Sequence, residues 1–142
     1  MERGCRGKTF FAKRFSPCEQ MNDYHIQSLA FLGDAYFTLK VREQIMRQKP
    51  GLTPRGLHVC TVPVLCAGGQ SKLFLELYDL FTDDEKAVAR RARNGRGLKP
   101  PAAATPEEYR NATALEAVLG YLYVEGKTER LERLFCHILP IV

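Results

Sequence analysis

The sequence has no apolar run long enough to cross a bilayer and no cysteines paired at metal-ligand or redox spacing. A membrane-spanning helix needs roughly 20 consecutive apolar residues, whereas the longest apolar stretch, Ala112 to Val124, is interrupted by Glu116. The five cysteines are scattered, with no C-x-x-C motif, which argues against a disulfide framework and against the usual structural zinc site. The N-terminus is basic but no apolar segment follows it, so we expect no secretory signal.

Signals for β-structure are also missing, because the sequence contains no alternating apolar run and no hairpin turn. Apolar residues instead recur at helical spacing. Threonines followed by proline or acidic residues mark helix starts at Thr53, Thr82 and Thr105. The pattern predicts an all-α fold of about six helices.

The first 20 residues contain glycines and a proline and show no sustained period. We therefore expect a basic, flexible arm over residues 1–20 and a single helical domain over residues 21–142. Within that domain, a short helix is expected to end near Cys60. Pro63 is then expected to begin a helix that runs to about Tyr78, with Gly68-Gly69 weakening its middle.

Positive charge is concentrated in two segments of a chain whose net charge is +5. Residues 1–15 carry five basic and one acidic side chain, and residues 86–99 carry six basic and no acidic side chains. The rest of the chain is mildly acidic. This distribution suits a polyanion that is held at particular points, although a solvated helix end and a basic tail account for it equally well.

Two carboxylates interrupt apolar helix faces. Asp34 shares a face with Ala30 and Phe37, and Glu116 is the only charged residue between Ala112 and Val124. A buried carboxylate needs a compensating partner. That partner could be an arginine or a helix N-terminus, in which case the role is structural, or a divalent metal bound between the helices. Hard oxygen ligands favour Mg²⁺ or Mn²⁺ over zinc, and small residues beside both carboxylates leave room for such an ion: Gly33, Ala35, Ala112 and Gly120.

The segment Leu29–Ala35, with the sequence LAFLGDA, resembles the signature of the ribonuclease III catalytic domain. The segment Thr113–Gly120, TALEAVLG, is similar to the second motif of that family. Their order, separation and helical context also match. The resemblance implies an all-α catalytic domain over residues 21–142.

The closer resemblance is to Mini-ribonuclease III, a compact branch of that family without a double-stranded-RNA-binding domain. Ala30 and Thr113 stand where the common pattern has acidic residues, and the chain ends at Val142, directly after the last predicted helix. Further similarities are the pair Leu57-His58, the run Arg91–Asn94 before a Gly/Pro loop, and the pair Tyr109-Arg110. With two acidic positions missing, a metal held by the remaining carboxylates should keep more water ligands.

The resemblance implies a Mg²⁺-dependent endoribonuclease (with Mn²⁺ as a substitute) that cleaves double-stranded RNA to products with a 5′-phosphate. Asp34 and Glu116 would be both the catalytic residues and the metal ligands. The resemblance also implies a homodimer, in which Phe31 contacts the partner subunit unless it is ordinary core, and maturation of large-subunit (23S) ribosomal RNA precursor in the cytoplasm. From the basic segment we expect RNA contacts by Arg90, Arg91, Arg93, Arg96 and Lys99.

Two other classes of function stay open. A non-catalytic RNA-binding or ribosome-associated module would keep this fold and lose turnover, which the two missing acidic positions favour. It leaves unexplained why Asp34 and Glu116 are retained. A purely structural helical dimer explains neither the carboxylates nor the basic segment.

Overall fold

The structure is a computed structural model, and it describes residues 24–95 and 99–141. These residues form six α-helices and two short 3-10 turns, and they contain no strand, which confirms the predicted all-α class. None of these helices is long and apolar enough to cross a membrane. The arm predicted over residues 1–20 lies outside the described residues. The helices are α1 (Ile26–Gln48), α2 (Pro54–Leu65), α3 (Ala67–Leu77), α4 (Asp83–Arg93), α5 (Pro106–Val124) and α6 (Thr128–Ile138).

Helix α5 lies at the centre of the fold, and α1, α3 and α4 all pack against it. Eleven of its 19 residues are buried, as expected for a helix that is apolar on nearly every side. Leu115, Leu119 and Leu122 of α5 are fully buried, as are Phe37 of α1 and Phe74 of α3. The core therefore surrounds the helix that carries Glu116.

Two glycines allow α1 and α5 to cross at very short range. A Cβ atom added to Gly33 would clash with the backbone carbonyl of Glu116, with its carbon only 2.6 Å away. A Cβ added to Gly120 would clash with the carbonyl of Leu29, with its carbon 2.8 Å away. Because no larger residue fits at either position, this crossing brings Asp34, the neighbour of Gly33, to the side of Glu116.

The predicted helix starts are confirmed by their caps. Thr53 accepts a hydrogen bond from the Gly56 N–H at 3.2 Å. Thr82 and Thr105 each form a capping box, in which the threonine hydroxyl and a glutamate three residues later satisfy each other's backbone N–H groups. Gly126 ends α5 with a φ of 69°, in the left-handed region that favours glycine.

The boundary between α2 and α3 is not where the sequence pattern predicted it. Pro63 lies inside α2, which continues to Leu65, and α3 begins only after Cys66, whose Sγ accepts a hydrogen bond from the Gly69 N–H at 3.4 Å. Gly68-Gly69 thus lies in the first turn of α3. The absence of a side chain is needed there, because a Cβ on Gly69 would meet the Val64 carbonyl oxygen at 2.8 Å. The prediction that Pro63 begins a helix was wrong.

Candidate metal centre

A cavity of about 490 Å³ opens between α1, α3 and α5, and both predicted carboxylates line it. Asp34 comes from α1 and Glu116 from α5, although they are 82 positions apart in the chain. The glycine crossing described above sets their separation, because Gly33 directly precedes Asp34 and packs on the backbone of Glu116. The structure therefore brings together the two residues that the sequence singled out.

The two carboxylates differ in exposure, which corrects one premise of the sequence argument. Asp34 is exposed, whereas Ala30 and Phe37 on neighbouring turns are buried. The face of α1 that enters the core is narrower than the apolar pattern indicated, and Asp34 lies at its edge. Glu116 is half-buried, within a run of fully buried α5 residues. One carboxylate thus borders water and the other borders the core.

Burial and, after it, the neighbouring Asp34 carboxylate together raise the pKa of Glu116 to about 8, although a hydrogen bond from Gln70 acts in the opposite direction. Among residues 24–95 and 99–141, no lysine or arginine forms an ion pair with Asp34 or Glu116. A second negative charge is therefore unfavourable beside Asp34, because no described lysine or arginine compensates for it.

This donor set fits a hydrated Mg²⁺ or Mn²⁺ ion. Two carboxylates supply the hard oxygen ligands that these ions prefer, and the cavity is large enough for several water ligands. In the described part of the chain, no group of three or more histidine, cysteine or acidic side chains is arranged so that it could hold a metal ion. Ala30 and Thr113, which stand where the ribonuclease III pattern has acidic residues, line the same cavity. A cation held here would have Asp34 and Glu116 as its protein ligands.

Gln70 lines the same cavity and was not identified from the sequence. It follows the Gly68-Gly69 pair at the start of α3, and its side chain is 3% exposed. Its Nε2 donates a hydrogen bond to the Leu65 carbonyl at 3.0 Å. The sequence pattern predicted the boundary between α2 and α3 at the wrong place. The helix predicted from Pro63 therefore gave no reason to expect residue 70 near the two carboxylates.

The basic segment, residues 86–99, begins within α4 and extends beyond its end toward α5. Arg90, Arg91 and Lys99 are exposed, while Arg93 is half-buried with its guanidinium 5.9 Å from the centre of the Phe74 ring. Arg96 lies outside the described residues. Pro101, two residues after Lys99, lines the cavity of the two carboxylates. Basic residues thus occur close in sequence to a residue of the candidate metal centre.

A further arginine belongs with this segment. Arg110 of α5 is exposed, and together with Arg90, Arg93 and Asn94 it lines a second cavity of about 530 Å³. Three guanidinium groups around one concave surface favour an anion, and phosphate is the anion that arginine binds best. The sequence contained one signal for it, because Arg110 is the only basic residue of α5.

Phe31 is not part of the core. Its side chain is 82% exposed, more than that of any other large hydrophobic residue in the described ranges, and it lines the cavity beside Asp34. Ordinary core packing, which the sequence left open for Phe31, is therefore excluded. An aromatic side chain this exposed is typical of a contact surface.

Two comparisons with known proteins give the same family, and a third gives the same fold. The sequence model described as "Ribonuclease III domain" matches residues 27–127. A Mini-ribonuclease 3 from Thermoanaerobacter is 40% identical over 106 residues, covering 75% of this chain and 74% of that protein. One from Staphylococcus aureus is 32% identical over 131 residues, covering 87% and 97%. A crystal structure of a Fusobacterium nucleatum protein superposes with a TM-score of 0.74 at 29% identity, covering 83% of this chain and 93% of that one.

Proposed function

The chain belongs to the ribonuclease III family, and on that basis we propose that it is a metal-dependent endoribonuclease that cleaves double-stranded RNA. One observation carries the proposal: Asp34 and Glu116, from distant parts of the chain, meet in one cavity, and no lysine or arginine of residues 24–95 and 99–141 pairs with either. When both carboxylates are charged they repel each other, and a cation bound between them removes that repulsion.

The proposed reaction is hydrolysis of a phosphodiester bond of the RNA at this cavity. Asp34 and Glu116 would hold the ion. When bound, Mg²⁺ or Mn²⁺ supplies charge neutralisation at the scissile phosphate and lowers the pKa of water. A water oxygen forms the new bond to phosphorus while the bond from phosphorus to O3′ breaks, and the departing O3′ takes up a proton. The products carry a 5′-phosphate and a 3′-hydroxyl.

The direct test is cleavage of a long RNA duplex with Mg²⁺. The wild-type protein should cut the duplex, and Asp34→Asn and Glu116→Gln should not, because each variant removes a charged ligand and keeps the shape of the side chain. Asp79→Asn is the matched control, since Asp79 is an exposed carboxylate outside the cavity. A wild-type protein that binds the duplex without cutting it would support the non-catalytic RNA-binding module instead.

We further propose that Arg90, Arg91, Arg93, Arg96 and Lys99, together with Arg110, hold the phosphates of the duplex. Double-stranded RNA is recognised largely by shape and by phosphate and 2′-hydroxyl contacts. In EDTA, the pair of substitutions Arg90→Ala and Arg110→Ala should weaken duplex binding and lower the salt dependence of log K by about one unit per lost contact. The pair Arg42→Ala and Arg133→Ala makes the same change in net charge elsewhere, and it should leave the slope unaltered.

The proposed active form is a homodimer in which Phe31 contacts the partner subunit, so that two cavities act on the two strands. Sedimentation should show a dimer for the wild type and a shift toward monomer for Phe31→Ala. A wild-type monomer at working concentration would count against this assembly. Large-subunit ribosomal RNA precursor in the bacterial cytoplasm is the substrate that the Mini-ribonuclease III resemblance implies, and unprocessed 23S termini in cells depleted of the protein would support it.

A further inference from the structure

Gln70 is a buried amide at the cavity of the two carboxylates, and its hydrogen bonds are only partly satisfied. The Nε2 group donates to the Leu65 carbonyl at 3.0 Å, and the side chain also hydrogen-bonds to Glu116. The Oε1 atom is buried and has no hydrogen-bond partner among the described residues. A buried amide oxygen without a donor is unfavourable, so this atom points to a ligand that brings its own hydrogen-bond donor.

The fixed orientation of Gln70 determines where that donor must come from. Leu65, at the end of α2, also lines the cavity, and its carbonyl holds one N–H of the amide. Because the other N–H faces Glu116, the amide cannot rotate to satisfy Oε1 without giving up one of these bonds. No donor among residues 24–95 and 99–141 reaches Oε1, and a molecule within the cavity can bring one.

A hydrated cation carries such donors. Mg²⁺ gives up its water reluctantly and keeps several water ligands in proteins. With only two carboxylates lining this cavity, most positions around the ion would be filled by water, and every such water has two O–H groups to donate. Outer groups that orient metal ligands are common in metal sites.

We propose that Gln70 is a positioning residue of the candidate metal centre, which orients the Glu116 carboxylate through its amide N–H and accepts at Oε1 a hydrogen bond from a water that hydrates the cation. This inference rests on the metal-dependent function proposed above. It assigns to α3 a part in a site whose two protein ligands come from α1 and α5.

Asn111 offers a matched control for a buried amide. It is 1% exposed, donates to the Ser71 hydroxyl at 3.0 Å and also leaves its amide oxygen unpaired, yet it lies outside the described lining of the cavity. Its loss should therefore affect the packing of α3 on α5 without affecting the cation.

The experiment measures Mn²⁺ affinity of the RNA-free protein by electron paramagnetic resonance, and cleavage kinetics alongside it. Gln70→Met keeps the size of the side chain and removes the amide. We expect Mn²⁺ to bind about tenfold more weakly, and kcat to fall while KM for the duplex stays the same. Asn111→Ala should lower the melting temperature and leave Mn²⁺ affinity unchanged. Wild-type affinity in Gln70→Met, or an equal loss in Asn111→Ala, would overturn the proposal.

Gln70→Asn keeps the amide and withdraws it from the cavity by one methylene, so it tests the same idea where Gln70→Met fails to fold. We expect Mn²⁺ to raise the melting temperature of Gln70→Asn by less than it raises that of the wild type, and an equal or larger rise would contradict the proposal. A wild type that binds and cleaves alongside an unaffected Gln70→Met removes only the role of Gln70. A wild type that neither binds Mn²⁺ nor cleaves removes the proposed function as well.

Discussion

Glu85 of α4 and Glu116 of α5 are both withdrawn from water on helices that pack together, but among the described residues only Glu85 has a cation beside it. The Arg130 guanidinium donates to Glu85 from Nε at 2.8 Å and from Nη2 at 3.0 Å. Burial on its own would raise the pKa of Glu85, but the hydrogen bonds from Arg130 and from the Thr82 N–H outweigh it, and the pKa lies below its usual value. At Glu116 burial and Asp34 act together, and the pKa rises to about 8.

The difference separates a structural carboxylate from one suited to bind a cation. Glu85 is 2% exposed and completes a capping box as well as its ion pair, so its charge is fully used within the fold. Glu116 faces a cavity and a second carboxylate. A buried charge needs a partner, and no described lysine or arginine forms an ion pair with Glu116, so Glu116 is the carboxylate that is suited to bind a cation.

The largest effect that the comparison predicts is on the rate of RNA cleavage. Glu116→Gln should reduce kcat by about a thousandfold, because a metal ligand contributes several kcal/mol to transition-state stabilisation. Glu85→Gln should retain kcat per folded molecule, since its partner is Arg130. Single-turnover cleavage, normalised to the folded fraction from circular dichroism, measures both. Similar losses of kcat in the two variants would contradict the distinction between a cation-binding Glu116 and a structural Glu85.

A smaller effect is expected on stability when the structural pair is broken. Arg130→Ala should lower the free energy of unfolding by about 3 kcal/mol, because it leaves the Glu85 carboxylate buried without its cation. The guanidinium also donates to the Leu80 carbonyl, so this bond is lost too. Urea denaturation gives the value. Arg133→Ala, at an exposed position on the same helix, should stay within about 0.5 kcal/mol of the wild type.

Adding a single methyl group at the crossing of α1 and α5 should lower both the stability of the protein and its affinity for Mn²⁺. Gly33→Ala should cost about 2 kcal/mol by overpacking α1 against α5, and it should also weaken Mn²⁺ binding because Asp34 moves away from Glu116. Gly51→Ala is the control, since a Cβ there meets nothing within 4 Å. Unaltered metal affinity in a destabilised Gly33→Ala would mean that the crossing does not set the carboxylate pair.

The last prediction concerns how the stability of the folded protein depends on pH. The pKa of Glu116 in the folded protein, about 8, lies above its ordinary value of 4.5, so the metal-free protein loses stability as the pH rises between these values. Glu116→Gln should therefore be more stable than the wild type at pH 8.5, and the gain should vanish near pH 4.5. Glu85 has the opposite sign, because its lowered pKa makes its contribution disappear as the pH falls. Thermal melts in EDTA across this range measure both trends, and a stability gain for Glu116→Gln that does not depend on pH would contradict the assignment.

The parts of the fold that sequence could predict are those that local rules determine. Thr82 and Thr105 cap their helices through contacts three residues away, and Gly126 ends α5 by its own backbone conformation. The α2–α3 boundary escaped prediction because its cause is a packing contact of Gly69, and because Pro63 is tolerated inside a helix. The apolar pattern also could not fix the angular width of the buried face of α1, which left Asp34 exposed.

In the candidate site, too, local sequence patterns predicted some residues, and tertiary packing determines the others. Asp34 and Glu116 were recognisable as carboxylates in apolar surroundings and through a resemblance to known motifs. Arg130 could not be found as the partner of Glu85, because 45 positions separate them and no local pattern links them. Gln70 and Arg110 likewise depend on where α3 and α4 pack against α5, which only the assembled fold determines.

Calorimetric titration of the RNA-free protein with Mg²⁺ at pH 7, in two buffers of different ionisation enthalpy, tests the central claim most directly. With the Glu116 pKa at about 8, the carboxyl is mostly protonated at this pH. Binding at Asp34 and Glu116 should therefore release close to one proton per ion, and Asp34→Asn should abolish the binding heat. Mg²⁺ binding that releases no proton, or that persists unchanged in Asp34→Asn, would contradict the account.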